Sequence, residues 1–321
     1  NKLCDDTNNL ILSFLIEPHK NDLMLTNDIF LLQLTSKYWN KLIDNYIDKD
    51  YKVKFGGVID YACMDGHVNV LEWWRQICEN HNNEFKYDEN AIEYAGEYGH
   101  INVLEWFKTI CTNSDYQFKY DNSIYEIKYE EGVIEYACKN GHANVLEWFK
   151  NSGYKFIYNE NSIKHACEYG HIHVLEWFKN SGYELKYDKC AIEEACSFAH
   201  INILEWFKNS DYEFKYDEST IEHASIHGRV NVLEWWKNSG YEFIHDEYST
   251  SFASLNGYVN VLEWWKNSGY EFKYDENAVN FASQNAHIHV LEWWKNSGYE
   301  LKYDENAVNN ACLHGHVNVL E

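Results

Sequence analysis

The chain has 321 residues, of which 45% are hydrophobic and 17% aromatic, so it contains ample material for a packed core. Its formal net charge of −24, from 51 acidic and 27 basic residues, excludes nucleic acid and anionic membranes as expected partners, because both need an electropositive surface. The sequence has no apolar run long enough to span a bilayer, and its nine cysteines include no Cys-x-x-Cys pair. We therefore expect a protein of a reducing compartment, the cytoplasm.

Residues 1–52 do not share the periodicity of the rest of the chain. Two apolar segments occur here, and in the second one Leu31, Leu34 and Trp39 recur at helical spacing. The pattern predicts two or three short helices, which we call the N-terminal segment. The apolar residues that we expect to form its contact surface are Leu10, Ile11, Phe14, Leu15, Leu31, Leu34 and Trp39.

The N-terminal segment resembles an F-box, the small helical module that docks onto the Skp1-type adaptor of cullin ubiquitin ligases. Ile-Leu-Ser-Phe-Leu, Asp-Ile-x-x-Leu and Ser-Lys-x-Trp-x-x-Leu follow one another in the order of that family. The Leu-Pro that usually opens an F-box is absent, and the polar residues 17–27 separate the two halves. The resemblance implies that the seven residues above contact an adaptor, and the alternative is a helical cap over the first repeat.

Residues 53–321 form an array of repeats, each marked by a leucine followed by glutamate. The leucines are spaced by 33, 42 and then six times 29 residues. A fixed period in this range is typical of stacked supersecondary units. We number nine repeats from these leucines and call each leucine position 0: Leu71, Leu104, Leu146, Leu175, Leu204, Leu233, Leu262, Leu291 and Leu320. The sequence ends one residue after Leu320, so we expect the ninth repeat to be truncated.

The residue pattern of each repeat predicts two helices, joined by a tight turn and followed by a short extended connector. An aspartate such as Asp188 suits the N-cap of the first helix, and glycine after the second helix, as at Gly182, suits a left-handed C-cap. Position −9 is alanine in all nine repeats, which indicates closely packed helices. We expect the tryptophan at +2 and the tryptophan or phenylalanine after it to form a buried aromatic row, so that Trp206→Ala costs about 3–5 kcal/mol. Five cysteines at position −8 predict small buried side chains: Cys63, Cys138, Cys167, Cys196 and Cys312.

The repeats resemble ankyrin repeats. The shared elements are the small residues of the first helix, Gly-His at the turn, as in Gly99 and His100, and the apolar pattern after it. The Thr-Pro-Leu-His of ankyrin repeats is replaced, and the shorter period indicates that the usual β-hairpin is trimmed to a loop. The Tyr-, Asn- and Trp-rich, proline-poor composition is similar to that of ankyrin-repeat proteins of giant, mimivirus-like viruses. The resemblance implies an all-α, ankyrin-like helical-repeat solenoid that binds an unidentified protein, in the host cytoplasm if the chain is viral.

Two positions before the turn, −7 and −6, change from repeat to repeat while their neighbours stay constant. In ankyrin-like stacks the matching positions line the concave face, so we predict that they bind the partner, with Tyr98, Tyr169, Phe198 and Leu255 as exposed anchors. The alternative is neutral drift on a solvated face. Residues 115–131 add a loop that either contacts a partner or is tolerated surplus. The predicted binding residues are Glu97, Tyr98, Lys139, Asn140, Glu168, Tyr169, Ser197, Phe198, Ile226, His227, Leu255, Asn256, Gln284 and Asn285.

The histidine that follows the turn in most repeats is the strongest candidate for chemistry. Stacked repeats would place these rings roughly 10 Å apart, whereas zinc ligands converge within about 2.1 Å of one ion. We therefore predict a hydrogen bond to neighbouring backbone, with no metal and no cofactor, and interpret the glutamate at +1 as a surface pair with the lysine at +4. The sequence has no phosphate loop, dinucleotide-binding turn or nucleophile elbow. We expect a non-enzymatic protein; a metal-dependent activity of the histidines is the remote alternative.

Overall fold

A computed structural model describes residues 56–80, 85, 87, 89–112 and 132–320. The N-terminal segment with its seven predicted adaptor contacts, and the loop at 115–131, lie outside the described residues. Those that are described form eighteen helices, two for each repeat, and no strand. Each of these helices is too short or too polar to cross a membrane. The prediction of an all-α helical-repeat solenoid is confirmed.

First and second helices alternate along the chain. The first helices are α1 Gly56–Met64, α3 Glu89–Glu97, α5 Gly132–Lys139, α7 Glu160–Glu168, α9 Lys189–Ser197, α11 Glu218–Ile226, α13 Tyr248–Leu255, α15 Asn277–Gln284 and α17 Glu305–Leu313. The second helices are α2 Val68–Asn80, α4 Ile101–Thr112, α6 Ala143–Ser152, α8 Ile172–Ser181, α10 Ile201–Asn209, α12 Val230–Ser239, α14 Val259–Asn267, α16 Ile288–Asn296 and α18 Val317–Leu320.

The described residues belong to two compact units. One comprises residues up to 137 together with 144–156, and the other comprises 138–143 and 157–320. Within each unit, the first helix of a repeat packs against the first helix of the next repeat, and second helices pack against second helices. Each repeat therefore buries its apolar side chains against its neighbours along the array.

Aspartate caps the first helices as predicted. The side chain of Asp188 accepts a hydrogen bond from the backbone N–H of Cys190 at 3.0 Å, which satisfies one of the free donors at the start of α9. The same contact is made by Asp217, Asp246, Asp275 and Asp304. At the other end of the repeat, Gly182 ends α8 with a φ of 86°, the left-handed conformation that glycine adopts without strain.

The most buried ring of a repeat is at position +3, one residue after the predicted tryptophan. Phe207 and Trp265 are each 1% exposed, and Phe178 and Trp236 are completely buried. The +2 tryptophans are less uniform, because Trp206 is 7% exposed whereas most of the others are half-buried. Position +3 follows positions 0 and −1 by three and four residues, so it shares their buried side of the helix, and position +2 lies at the edge of that side.

Small residues lie where the first helices approach their neighbours. The alanine at −9 is at most 3% exposed in all nine repeats, as its constancy predicts. Cys63, Cys138, Cys167 and Cys196 are buried at position −8, and burial raises the pKa of the Cys196 thiol to about 12. Cys312 is exposed, so its predicted burial is wrong. At Cys196, Nε1–H of Trp236 in the following repeat contacts the thiol at 3.4 Å, whereas the described residues include no repeat after the ninth.

Candidate protein-binding surface

The histidine after the turn binds the backbone of the preceding repeat. Nε2–H of His100 donates to the carbonyl oxygen of Met64 at 2.8 Å, and Nε2–H of His200 donates to that of Glu168 at 2.9 Å. The ring also covers the preceding turn, since a Cβ on Gly66 would lie 2.6 Å from Nδ1 of His100. Glycine therefore suits Gly66, both for its φ of 73° and for the close approach of the ring. The predicted backbone hydrogen bond is confirmed.

The doubled histidines complete the same junction. At position −2, Nδ2 of Asn102 donates to the carbonyl of the preceding turn glycine at 2.8 Å. His173 and His289 occupy this position in repeats four and eight, and their Nε2–H groups donate to the turn carbonyls of Gly141 and Gly257. The paired histidines are thus two hydrogen-bond donors of the scaffold. Among the described residues, no group of three or more His, Cys, Asp or Glu side chains could hold a metal ion.

The glutamate at +1 binds the next repeat. Nε1–H of Trp235 donates to Glu205 at 2.6 Å, and Nζ of Lys208 lies 5.9 Å from the centre of the same indole ring. Glutamate and lysine of one repeat therefore both contact the tryptophan of the following repeat. The predicted i,i+3 ion pair is found in repeat one, between Glu72 and Arg75 at 2.6 Å. As a general account of the +1 and +4 positions that interpretation is wrong, because it considered contacts within one helix only.

The two variable positions differ in exposure. Position −6 is exposed in all nine repeats, and Tyr98, Tyr169 and Phe198 are 46%, 45% and 46% exposed. Position −7 is mostly half-buried, and Leu255, a predicted exposed anchor, is half-buried as well. Ser197 at −7 is only 3% exposed, and its hydroxyl is hydrogen-bonded within its helix and to the next repeat. The Ser197 side chain is therefore buried at the junction of repeats five and six, and its contact with a partner stays a prediction.

Two of the predicted binding residues serve the scaffold. Nδ2 of Asn256 donates to the carbonyl of Ile226 at 3.0 Å, and Nδ2 of Asn285 donates to the carbonyl of Leu255 at 2.7 Å. The Leu255 carbonyl also accepts the hydrogen bond from His287, which uses both of its lone pairs. At position −6, asparagine thus strengthens the junction, whereas an aromatic residue leaves a ring at the surface.

The aromatic residues at −6 in the second unit stack on side chains of their own and of neighbouring repeats. Nζ of Lys139 lies 5.6 Å from the ring centre of Tyr169 in the following repeat. The rings of Phe198 and His227 lie 6.4 Å apart at an angle of 21°. Tyr169 and Phe198 also stack on the histidine that follows the turn of their own repeat. These contacts hold large, partly exposed rings in place, which is a property of strong contact residues in protein interfaces.

No family model matches this chain, and no curated protein matches it. Among solved structures, it is similar to the crystal structure of the pentatricopeptide repeat protein PPR10 from maize. The two chains are 12% identical, with a TM-score of 0.32 over 90% of this chain and 46% of PPR10. The chain therefore spans less than half of the length of this repeat protein.

A second aromatic row lies on the first helices of repeats seven and eight. Tyr248 is 48% exposed, and its ring stacks on Phe252 with centres 6.0 Å apart. Phe252 stacks in turn on Phe281 at 6.4 Å. Sequence reasoning missed this row because it considered positions −7 and −6 alone. The available signal was phenylalanine at −10 in repeats seven and eight, where repeats four to six have histidine or glutamate.

The junction of repeats six and seven brings two carboxyl groups together. Partial burial, the neighbouring charge of Asp246 and a hydrogen bond between the two carboxyl groups raise the pKa of Glu222 from 4.5 to about 7. At the preceding junction, the side chain of Lys189 lies between the equivalent carboxylates, 3.2 Å from Glu193 and 2.6 Å from Asp217. In repeat six, Glu218 occupies the position that Lys189 has in repeat five. The Glu222–Asp246 pair therefore lacks the lysine that lies between the equivalent carboxylates of the preceding junction.

Proposed function

We propose that this chain is a non-enzymatic scaffold of ankyrin-like repeats that binds a protein partner through the exposed side of its first helices. The observation that supports the proposal is the division between constant and variable positions. Histidine, asparagine, glutamate and tryptophan repeat because they form the junctions. Position −6 is exposed in all repeats and changes, and it carries Tyr98, Tyr169 and Phe198. Exposed aromatic side chains on a rigid support are the usual anchors of protein interfaces.

The test compares partner capture by the full chain and by two surface variants. Tyr169→Ser combined with Phe198→Ser removes the exposed rings and leaves the junction contacts in place. Tyr303→Ser, at a connector tyrosine that is 59% exposed, is the matched control. We expect the double variant to lose about tenfold or more in affinity for the captured protein, and the control to retain it. Equal binding by all three proteins would reject the first-helix face as the contact surface.

We further propose that the N-terminal segment recruits an Skp1-type adaptor, so that the repeats would select a substrate for a cullin ubiquitin ligase. The order of the F-box-like motifs in residues 1–52 supports this proposal. The full chain and a variant with Leu10→Asp and Leu31→Asp are compared for binding to purified Skp1–cullin complex. Loss of binding in the variant alone would support adaptor recruitment. No binding by the unmodified chain would leave a plain repeat scaffold without a ligase link.

From the resemblance of the repeats to those of giant viruses, we also propose that the chain acts in the cytoplasm of an infected host cell. Fractionation of infected cells, followed by detection of the chain, tests this location. Recovery of the chain in the nuclear or membrane fraction alone would reject it.

A further inference from the structure

The first helices of repeats six to eight differ in charge from those of repeats three to five. Helices α5, α7 and α9 carry Lys139, Lys164 and Lys189, whereas α11, α13 and α15 contain no lysine or arginine. Helices α13 and α15 instead carry the aromatic row described above. We call this surface the acidic aromatic face and define it by Glu222, Asp246, Tyr248, Phe252 and Phe281.

Carboxyl groups border the aromatic row at the start of each helix. Asp246 faces Glu222 from the next repeat, and Asp217 and Glu218 face it from its own helix. From the preceding repeat, the ammonium group of Lys189 is held by Glu193 and Asp217. The face therefore combines apolar rings with carboxyl groups that repel one another.

We propose that the acidic aromatic face binds a basic, amphipathic segment of the partner protein, which places an arginine or lysine side chain between Glu222 and Asp246 and apolar side chains on the rings. The inference rests on the proposed protein-binding function and specifies the partner's chemistry. Charge complementarity supports it, because the chain has a net charge of −24 and this face contributes acids without bases.

Contacts within the chain show the same recognition chemistry. Nζ of Lys215 lies 4.4 Å from the ring centre of Tyr187, and Nζ of Lys302 lies 4.2 Å from that of Tyr274. Lysine over an aromatic ring is thus a recurrent contact between repeats, and a partner's lysine or arginine would find rings and carboxylates together on this face. An acidic segment would meet like charges, and a purely apolar segment would bury carboxyl groups without a partner, which is unfavourable.

The experiment selects peptides from a random dodecapeptide phage library on the full chain and measures the affinity of the enriched peptides by calorimetry. We expect enriched peptides to combine lysine or arginine with apolar residues. Glu222→Gln should weaken their binding about tenfold, and Tyr248→Ser should weaken it by a similar factor. The matched control is Glu242→Gln, which removes an exposed carboxylate from a connector and should change the affinity less than twofold. Because Glu222→Gln removes like-charge repulsion, we expect this variant to remain folded.

Proton release provides a second readout. A bound cation favours the charged form of Glu222, so peptide binding should release protons near pH 6.5, and the affinity should rise from pH 6 to pH 8. Glu222→Gln should abolish both effects, as calorimetry in buffers of different ionisation enthalpy would report.

Enrichment of neutral or acidic peptides, or binding that is insensitive to Glu222→Gln, would overturn the inference. Enriched peptides whose binding requires Tyr169 and Phe198 would overturn the inference about the acidic aromatic face but would keep the proposed function. A selection that enriches no peptide would overturn both the inference and the proposed function.

Discussion

Trp264 and Trp265 are adjacent in the sequence but differ in burial, so alanine substitutions at these two positions test which ring belongs to the core. Trp265 is 1% exposed, its ring centre lies 4.7 Å from that of His245, and its indole N–H donates to Ser225 at 3.2 Å. Trp264 is half-buried and donates to Glu234 at 2.9 Å near the surface. We expect Trp265→Ala to destabilise the chain considerably more than Trp264→Ala.

The expected difference follows from the buried area. Complete burial of an indole removes up to about 250 Å² from water, a transfer free energy of at most about 6 kcal/mol at 25 cal/mol per Å². Aromatic-to-alanine substitutions in cores cost about 3–5 kcal/mol, which is our value for Trp265→Ala. Half of that burial and one surface hydrogen bond give about 2 kcal/mol for Trp264→Ala. The free energies of unfolding should therefore differ by at least about 1 kcal/mol.

Urea unfolding followed by far-ultraviolet circular dichroism measures the total effect. Because repeat arrays can unfold in parts, hydrogen exchange at α13 and α14 should be measured as well. We expect exchange in these helices to accelerate more in Trp265→Ala. Equal losses, or a larger loss in Trp264→Ala, would show that the tryptophan row at +2 carries the core and that our assignment of the +3 ring is incorrect.

Three further predictions test individual junctions. Ala199 has a φ of 61°, so Ala199→Gly should raise the free energy of unfolding by about 0.5–1 kcal/mol. Gly170→Ala should lower the free energy of unfolding, because a Cβ at this position would lie 2.7 Å from His200 of the next repeat. Urea unfolding that ranks the two variants in the opposite order would contradict both expectations. Since the pKa of Glu222 is raised to about 7, its contribution to stability is full below pH 4.5 and is lost as the pH rises to 7, and thermal melts of Glu222→Gln should lack that decline. A double-mutant cycle of Ser254→Ala and Trp294→Phe should give a coupling of about 1 kcal/mol for their 3.1 Å hydrogen bond, and strict additivity would argue against it.

Features that depend on the local residue pattern can be predicted from the sequence, in some cases for individual residues. The period, the aspartate cap at Asp188 and the alanine at −9 each follow from spacing within one repeat, and all are found in the structure. The partner of Glu205 could not be predicted in this way, because Trp235 lies 30 residues away and the packing of one repeat on the next determines the contact. The burial of Ser197 could not be predicted either, because sequence variation from repeat to repeat does not show which side of the helix a residue occupies.

The junction chemistry explains why the surface can vary without loss of the fold. The donor after the turn bonds to the backbone carbonyl at −7, so the side chain at that position does not have to be conserved for the contact to form. Even the donor can change, because Nε–H of Arg229 donates to the carbonyl of Ser197 at 2.7 Å in place of a histidine. Positions −7 and −6 thus tolerate different side chains, some of which, such as Asn256 and Asn285, add a further hydrogen bond to the preceding repeat. Aromatic, basic or polar side chains can occupy these two positions without altering the scaffold. One repeat architecture can therefore present different surfaces.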